Sequence, residues 1–411
     1  MAGRGEEQRE EIEALVAFEG RSPGSDAERR AASHLADRLR GDGRDAELEH
    51  ADAWPHWPLA FALCALAAIV GSVVSVSAPI PGAALVLAAA LLTFLEGSGT
   101  ARITRRLLGR RATQNVISPE DSDKPGTIVL VAHYDAGPQG ALFGRRLQER
   151  QATLGQALGR PIGRLEPLFW AQLAIIVCCL LRLPGLESTI LTALQFVPTV
   201  ALIVALPLLV DIALSPISPG ANDNASGVTA ALELARRHGG DLGRFDLWVL
   251  LTGAQEALSD GMRGFLRRHR RSLDSTRTVF VNLDEVGADS VRYTQREGAL
   301  LAVHSHVQLV EICDEIAEDD EHGSFGARPL VNRTQSDGAA ARAAGYPAIT
   351  VTCRNVLDYA PNHHQATDTA GRVQGAALER ALGFCGELLD RLDAQLGPEL
   401  ERAGAALSES D

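Results

Sequence analysis

The chain has 411 residues, 46% of them hydrophobic, and a formal net charge of −13. That length holds one large domain or two ordinary ones, and the negative charge argues against a nucleic-acid partner, because no extended basic face is left to neutralise phosphates. Six scattered cysteines, with Cys64, Cys178 and Cys179 inside hydrophobic runs, support neither a disulfide framework nor a CxxC metal site.

In chain order, residues 6–18 and 25–39 read as helices. The second opens on a capping box, Ser25-Asp26-Ala27-Glu28, with Leu35 and Leu39 on one face. No apolar stretch precedes residue 57, so the charged start does not read as a signal peptide. From Trp57 to Leu95 no residue is charged, and Ala78-Pro79-Ile80-Pro81-Gly82 splits the run. Each half matches the ~20 residues needed to cross a hydrocarbon core of ~30 Å. Residues 127–132 (TIVLVA) then form a continuous apolar strand of the kind buried on both faces. A second apolar pair follows over 167–183 and 188–210, with Arg182 placed to snorkel from the end of the shorter member.

Beyond these hairpins, 224–238 reads as a helix stopped by Gly239-Gly240. Residues 245–251, 278–283 and 348–352 read as strands, and 307–317 and 372–392 as helices. Strands alternating with helices imply an α/β domain with a mainly parallel central sheet and helices on both faces. The arginines cluster beside the hairpins: Arg102, Arg105, Arg106, Arg110 and Arg111 after the first, and Arg145, Arg146, Arg150, Arg160 and Arg164 before the second. By the positive-inside rule the polar parts face the cytoplasm and the hairpins face the lipid bilayer.

The polar residues that could carry chemistry fall where strands end. His133 and Asp135 follow TIVLVA, Gln255 and Glu256 follow the strand 245–251, and Asp284 closes 278–283. In open α/β sheets ligands bind outside the carboxyl ends of the strands. Asp223 adds to them from the loop PGANDNASG, and His364 from NHHQATDT. Two His, two Asp and one Glu form a donor set that suits zinc, with Asp135 placed as the carboxylate that fixes the His133 tautomer. His269, His304, His306 and His322 lie outside these motifs.

The series HYDAGP, PGANDNASG, GAQEALSDG, NLDEVG, SDGAAARAAGYPAI and HHQATDT resembles the co-catalytic di-zinc exopeptidases, which include aminopeptidase Y and the bacterial leucyl aminopeptidases. The resemblance runs over nearly all of the chain outside the hairpins. It implies a phosphorylase/hydrolase-like zinc-exopeptidase fold, a peptide substrate and two zinc ions bridged by one Asp and a water. Residue by residue, it implies His133 and Asp284 on one zinc, Glu256 and His364 on the other, and Asp223 as the bridge, with His363 the runner-up to His364. Where the family has a general-base glutamate this chain has Gln255, and an amide cannot accept a proton. Glu285 and Asp337 are alternative bases. The peptidase-like domain is thus expected over 1–54, 98–164 and 214–400, transmembrane hairpins over 55–97 and 165–213, and a disordered tail over 401–411. A membrane-bound aminopeptidase is the leading expectation. A catalytically impaired zinc-binding protein that binds peptides or a partner is the second, and an aminoacyl cyclase the third.

Overall fold

The computed structural model describes residues 2–183 and 188–397. It opens with α1 (Ala2–Val16), α2 (Asp26–Gly41) and β1 (Glu47–Ala53). The first apolar pair, α3 (Trp57–Ser77) and α4 (Pro79–Gly97), and the short α5 (Thr104–Leu107) lead into β2 (Arg111–Ser118) and β3 (Gly126–His133). After α6 (Arg145–Ala157) come the second apolar pair, α7 (Glu166–Arg182) and α8 (Thr189–Leu214), then α9 (Ser226–His238), β4 (Phe245–Thr252) and α10 (Asp260–His269). The chain continues through β5 (Thr278–Leu283), β6 (Ser290–Glu297), β7 (Val303–His304), α11 (Val307–Asp319), β8 (Arg328–Asn332), α12 (Asp337–Ala343), β9 (Ala348–Arg354) and α13 (Gly375–Gln395). The expected tail over 401–411 and the tip of the second hairpin lie outside the described residues.

The strands form one mixed sheet in the order β1-β2-β4-β3-β5-β9-β6-β7, with β8 on β6. Parallel pairing joins β4, β3, β5 and β9 at the centre, while β1, β2, β6 and β7 attach antiparallel. The parallel core is what the apolar runs announce: Ile128, Leu130 and Ala132 pack on one face, Val129 and Val131 on the other. α1, α2, α9, α11 and α13 cover the first face and α10 and α12 the second. The antiparallel strands are absent from the sequence reading because their side chains are polar. Within β6, Arg292 is paired with Asp358 at 2.9 Å, and Glu297 accepts from Arg342, Thr350 and Asn332, so charge is buried without being left unpaired.

Both apolar pairs are insertions. The first joins β1 to β2, whose register begins at Ala53 opposite Arg111. The second lies between β3 and α9, and a bridge of Pro138 with Ile217 brings its ends together. The four helices share one apolar cluster, including Phe61, Ala65, Val86, Leu168, Ile175, Leu202 and Leu209. Small residues make the seam: Gly82 in α4 lies so close to the Ser75 backbone of α3 that no side chain fits between them. Gln195 donates to Ser72 O at 2.8 Å and Ser75 Oγ at 2.9 Å, and Ser72 and Thr199 share a 2.7 Å hydrogen bond. Large apolar residues face outward instead, among them Val73, Leu87, Val177, Leu194, Phe196 and Val204. Among the described residues three helices, α3, α4 and α8, are long and apolar enough to cross a membrane; α7 has 17 residues and ends on Arg182. α8 is the least covered of the three, with 22% of its most apolar stretch buried.

Candidate metal centre

Three adjacent parallel strands deliver the polar groups to one rim. β3 ends on His133, the turn after β4 carries Gln255 and Glu256, and Asp284 follows β5. The loop after β9 supplies His363 and His364. Asp223 comes from the turn Ala221–Ala225, which is stitched to the end of β5. Asn224 Nδ2 donates to Leu283 O at 2.9 Å and its Oδ1 accepts from Glu285 N at 2.9 Å, while Asn222 Oδ1 accepts from Gly287 N and Ser226 Oγ from Val286 N. These side-chain bonds occupy the turn, so α9 begins at Ser226 and not at Asn224. Asn222, Asn224 and Ser226 escaped the sequence reading as functional positions, although the polar run preceding the helix was visible.

Asp223 stands at the centre. His133 Nε2 lies 3.3 Å from its Oδ1 and 3.6 Å from Asp284 Oδ1. His364 Nε2 lies 3.5 Å from Asp223 Oδ2 and 2.9 Å from Glu256 Oε1. All five expected ligands are therefore brought together, one oxygen of Asp223 facing each half. His363 is nearer than expected: its Nδ1 is 2.9 Å from Asp223 Oδ2 and bonds Glu285 Oε1 at 2.9 Å. Ligand atoms of Asp223, His363 and His364, and of His133, Asp223 and Glu256, lie within 4.8 Å of one another. Ligands held at 2.0–2.1 Å around a tetrahedral zinc are about 3.3 Å apart, so the spacing fits that ion. Asp223 Oδ2 is buried with only imidazole nitrogens beside it and no well-aligned hydrogen bond, a position that a cation would satisfy. Gly137 allows the close approach, since a Cβ there would overlap the His364 ring and the Glu256 carboxyl.

Asp135 is fully buried and accepts from the backbone of Gln255 at 3.1 Å and Glu256 at 3.0 Å; His133 Nδ1 is 3.4 Å from its Oδ1. It thus holds the Glu256 turn as well as the imidazole. Gln255 is buried and donates from Nε2 to Gln335 O at 3.0 Å. The two alternative bases are engaged elsewhere. Glu285 bonds His363 and pairs with Arg354 at 2.9 Å, and Asp337 accepts a short hydrogen bond from Thr252. Glu285 and His364 have φ of 56° and 54°, a left-handed conformation costing about 1–2 kcal/mol that the surrounding bonds maintain.

The charges explain the titration of the site. Burial lowers His133, but bonds to Asp135, Asp223 and Asp284 carry it well above the usual imidazole range. Burial likewise opposes His363, which Glu285 and Asp223 raise to about 9. Burial would raise Asp223, yet His363, His133 and His364 hold it well below the carboxylate range. The carboxylates that raise these imidazoles are the same groups that would bind a divalent cation.

Two arginines went unread as site residues. Arg164 bonds His363 Nε2 at 3.1 Å and lies 4.9 Å over the Phe143 ring, which in turn covers His364 at 4.4 Å. Arg21 sits behind the site, donating to the carbonyls of Leu15, Tyr134, Pro219 and Gly220 at 2.9–3.1 Å. Burial lowers it to about 10, so it remains charged at neutral pH. Leaving a buried acceptor unmade costs about 1–3 kcal/mol, so Arg21→Met is expected to destabilise the chain by roughly 3 kcal/mol or more in a chemical denaturation series.

Residues 210–388 match the family model described as peptidase family M28. No curated protein matches the sequence. Among solved structures, a Zn-dependent exopeptidase from Parabacteroides distasonis is 13% identical, with 94% of this chain and 97% of that one covered and a TM-score of 0.53. BSAP, a zinc aminopeptidase from Bacillus subtilis, is 15% identical, with 93% and 94% covered and a TM-score of 0.53. A glutaminyl cyclase from Tannerella forsythia is 13% identical, with 94% and 97% covered and a TM-score of 0.53. At these identities the likeness is one of fold. Taken with the match over 210–388, it supports a zinc exopeptidase-type family.

Proposed function

We propose that the chain is a membrane-bound zinc metallopeptidase that hydrolyses peptides from their amino end. The observation that carries this reading is Asp223, with one oxygen toward His133 and Asp284 and the other toward His364 and Glu256. These five residues would hold two zinc ions, with Asp223 shared. Bound zinc supplies Lewis acidity, polarising a scissile carbonyl and lowering the pKa of a water. The protein contributes placement. Asp135 fixes the His133 ring and the Glu256 turn together, and Phe143 and Arg164 close over the imidazoles to exclude bulk water. Gln255 can orient a water or a carbonyl by hydrogen bond but can take no proton.

A second reading rests on that same amide: a zinc-binding protein that retains the peptide without cleaving it. Assay of aminoacyl-anilide hydrolysis by the zinc-loaded protein in detergent separates the two, and an inert protein that still binds two zinc ions favours the second. Cyclisation of an amino-terminal glutamine without hydrolysis would identify the third chemistry instead.

The outward apolar surfaces of α3, α4, α7 and α8 support insertion of both hairpins in a cell membrane, with the zinc domain on the cytoplasmic side. A reporter fused after Asp411 is expected to be active in the cytoplasm; activity only on the opposite side would overturn that orientation.

A further inference from the structure

The cavity that contains the metal centre is walled on its far side by the inserted helices. It has a volume of about 320 Å³ and reaches from His133, Asp223 and Glu256 to Leu168 of α7 and to Ala201, Val204, Ala205 and Leu208 of α8. The α8 positions are spaced i, i+3, i+4 and i+7, a single helix face. Leu202 points elsewhere, into the helix bundle, and Leu209 meets both the bundle and the cavity, whereas Val204 is 56% exposed, so this face is only partly taken up by packing. At 1.5 Å per residue the stripe is about 10 Å long. Asp211 is the sole charged residue of α8, and its carboxylate accepts from Ala141 N at 2.7 Å, which ties that end of the helix to the polar domain. Ala201 lies about 15 Å further along the helix from Asp211.

A pocket for a free, water-soluble peptide would need no wall supplied by a helix long and apolar enough to cross a membrane. We propose that the site takes a peptide whose apolar segment remains in the bilayer, lying against the Ala201–Leu208 stripe while its polar end reaches Asp223. The substrate class is therefore a membrane-embedded peptide, presented sideways along the exposed face of α8. The polar end of this proposal rests on the peptidase reading; the apolar end does not.

The test uses the full chain, zinc-loaded, in lipid nanodiscs, with a single-span alanine–leucine peptide bearing a photoreactive leucine among its first apolar residues. Expected is a crosslink to α8 within 201–208, read by mass spectrometry and competed by the unlabelled span but not by a soluble pentapeptide. A bulky indole on the stripe would occupy the space of the apolar segment, so Val204→Trp is expected to lower the yield about tenfold. No crosslink to α8 in the wild-type protein, which needs no variant to fold, overturns the proposal even where anilides are hydrolysed. A crosslink without hydrolysis upholds it and overturns the peptidase reading instead.

Discussion

Gln255→Glu is expected to raise kcat on an aminoacyl anilide by about 10²–10⁴, the contribution of a positioned general base. The amide of Gln255 donates to Gln335 O, a contact a carboxylate cannot make. The new glutamate would face that carbonyl and the neighbouring Glu256, and like charge raises a carboxyl pKa. The gain is therefore expected to grow with pH as the new carboxyl ionises, whereas the wild-type profile lacks that limb. Gln255→Ala is expected to stay within a few-fold of wild type, since no proton transfer is lost. A rate unchanged by Gln255→Glu across the pH range would remove position 255 from the reacting centre.

Asp223→Ala is expected to abolish stoichiometric zinc binding, because both halves of the donor set share this carboxylate. Zinc at a hundred times its Kd stabilises a folded protein by about 2.7 kcal/mol per site, so the variant should also lose the rise in Tm that zinc gives the wild type. Metal content measured by atomic emission decides the matter: two zinc ions still bound would sink the assignment. The protons now on the imidazoles add a signature. With folded values above the free imidazole range, His363 at about 9 and His133 also raised, they stabilise the metal-free fold at low pH. That contribution is lost as pH rises through about 9, while zinc, competing with the same protons, binds more tightly toward that pH. Calorimetry in buffers of different ionisation enthalpy is expected to show protons released on zinc uptake.

The parts of the fold visible in the sequence are those with a single dominant pattern. TIVLVA and its neighbours read as central strands because apolar residues filled both faces, and the hairpins because charge was absent over whole helices. β1 and β6 were hidden for the opposite reason: they carry charges met by residues far away in sequence, as Glu49 is by His269 and Glu297 by Arg342. The site divides the same way. The proposed ligands sit at strand ends or in recognisable polar loops and could be named in order, whereas Asn224 works through bonds to Leu283 and Glu285, distant in sequence, and Arg164 only through the folded position of His363. His363 was ranked behind His364, and the structure brings both to Asp223.

β1 and β2 are neighbours in the sheet but are separated in the chain by the whole first hairpin. Closing so long a loop is entropically slow unless something returns the chain to its starting point. Antiparallel α3 and α4 do that, and Arg105 then clamps the return by pairing with Glu96 at 2.8 Å, approaching Asp260 at 3.3 Å and donating to Ala257 O at 2.7 Å. The turn bearing Glu256 is thus anchored to the end of a hairpin made earlier in the chain. The β1–β2 edge, the first hairpin and the metal-binding rim therefore depend on one buried arginine.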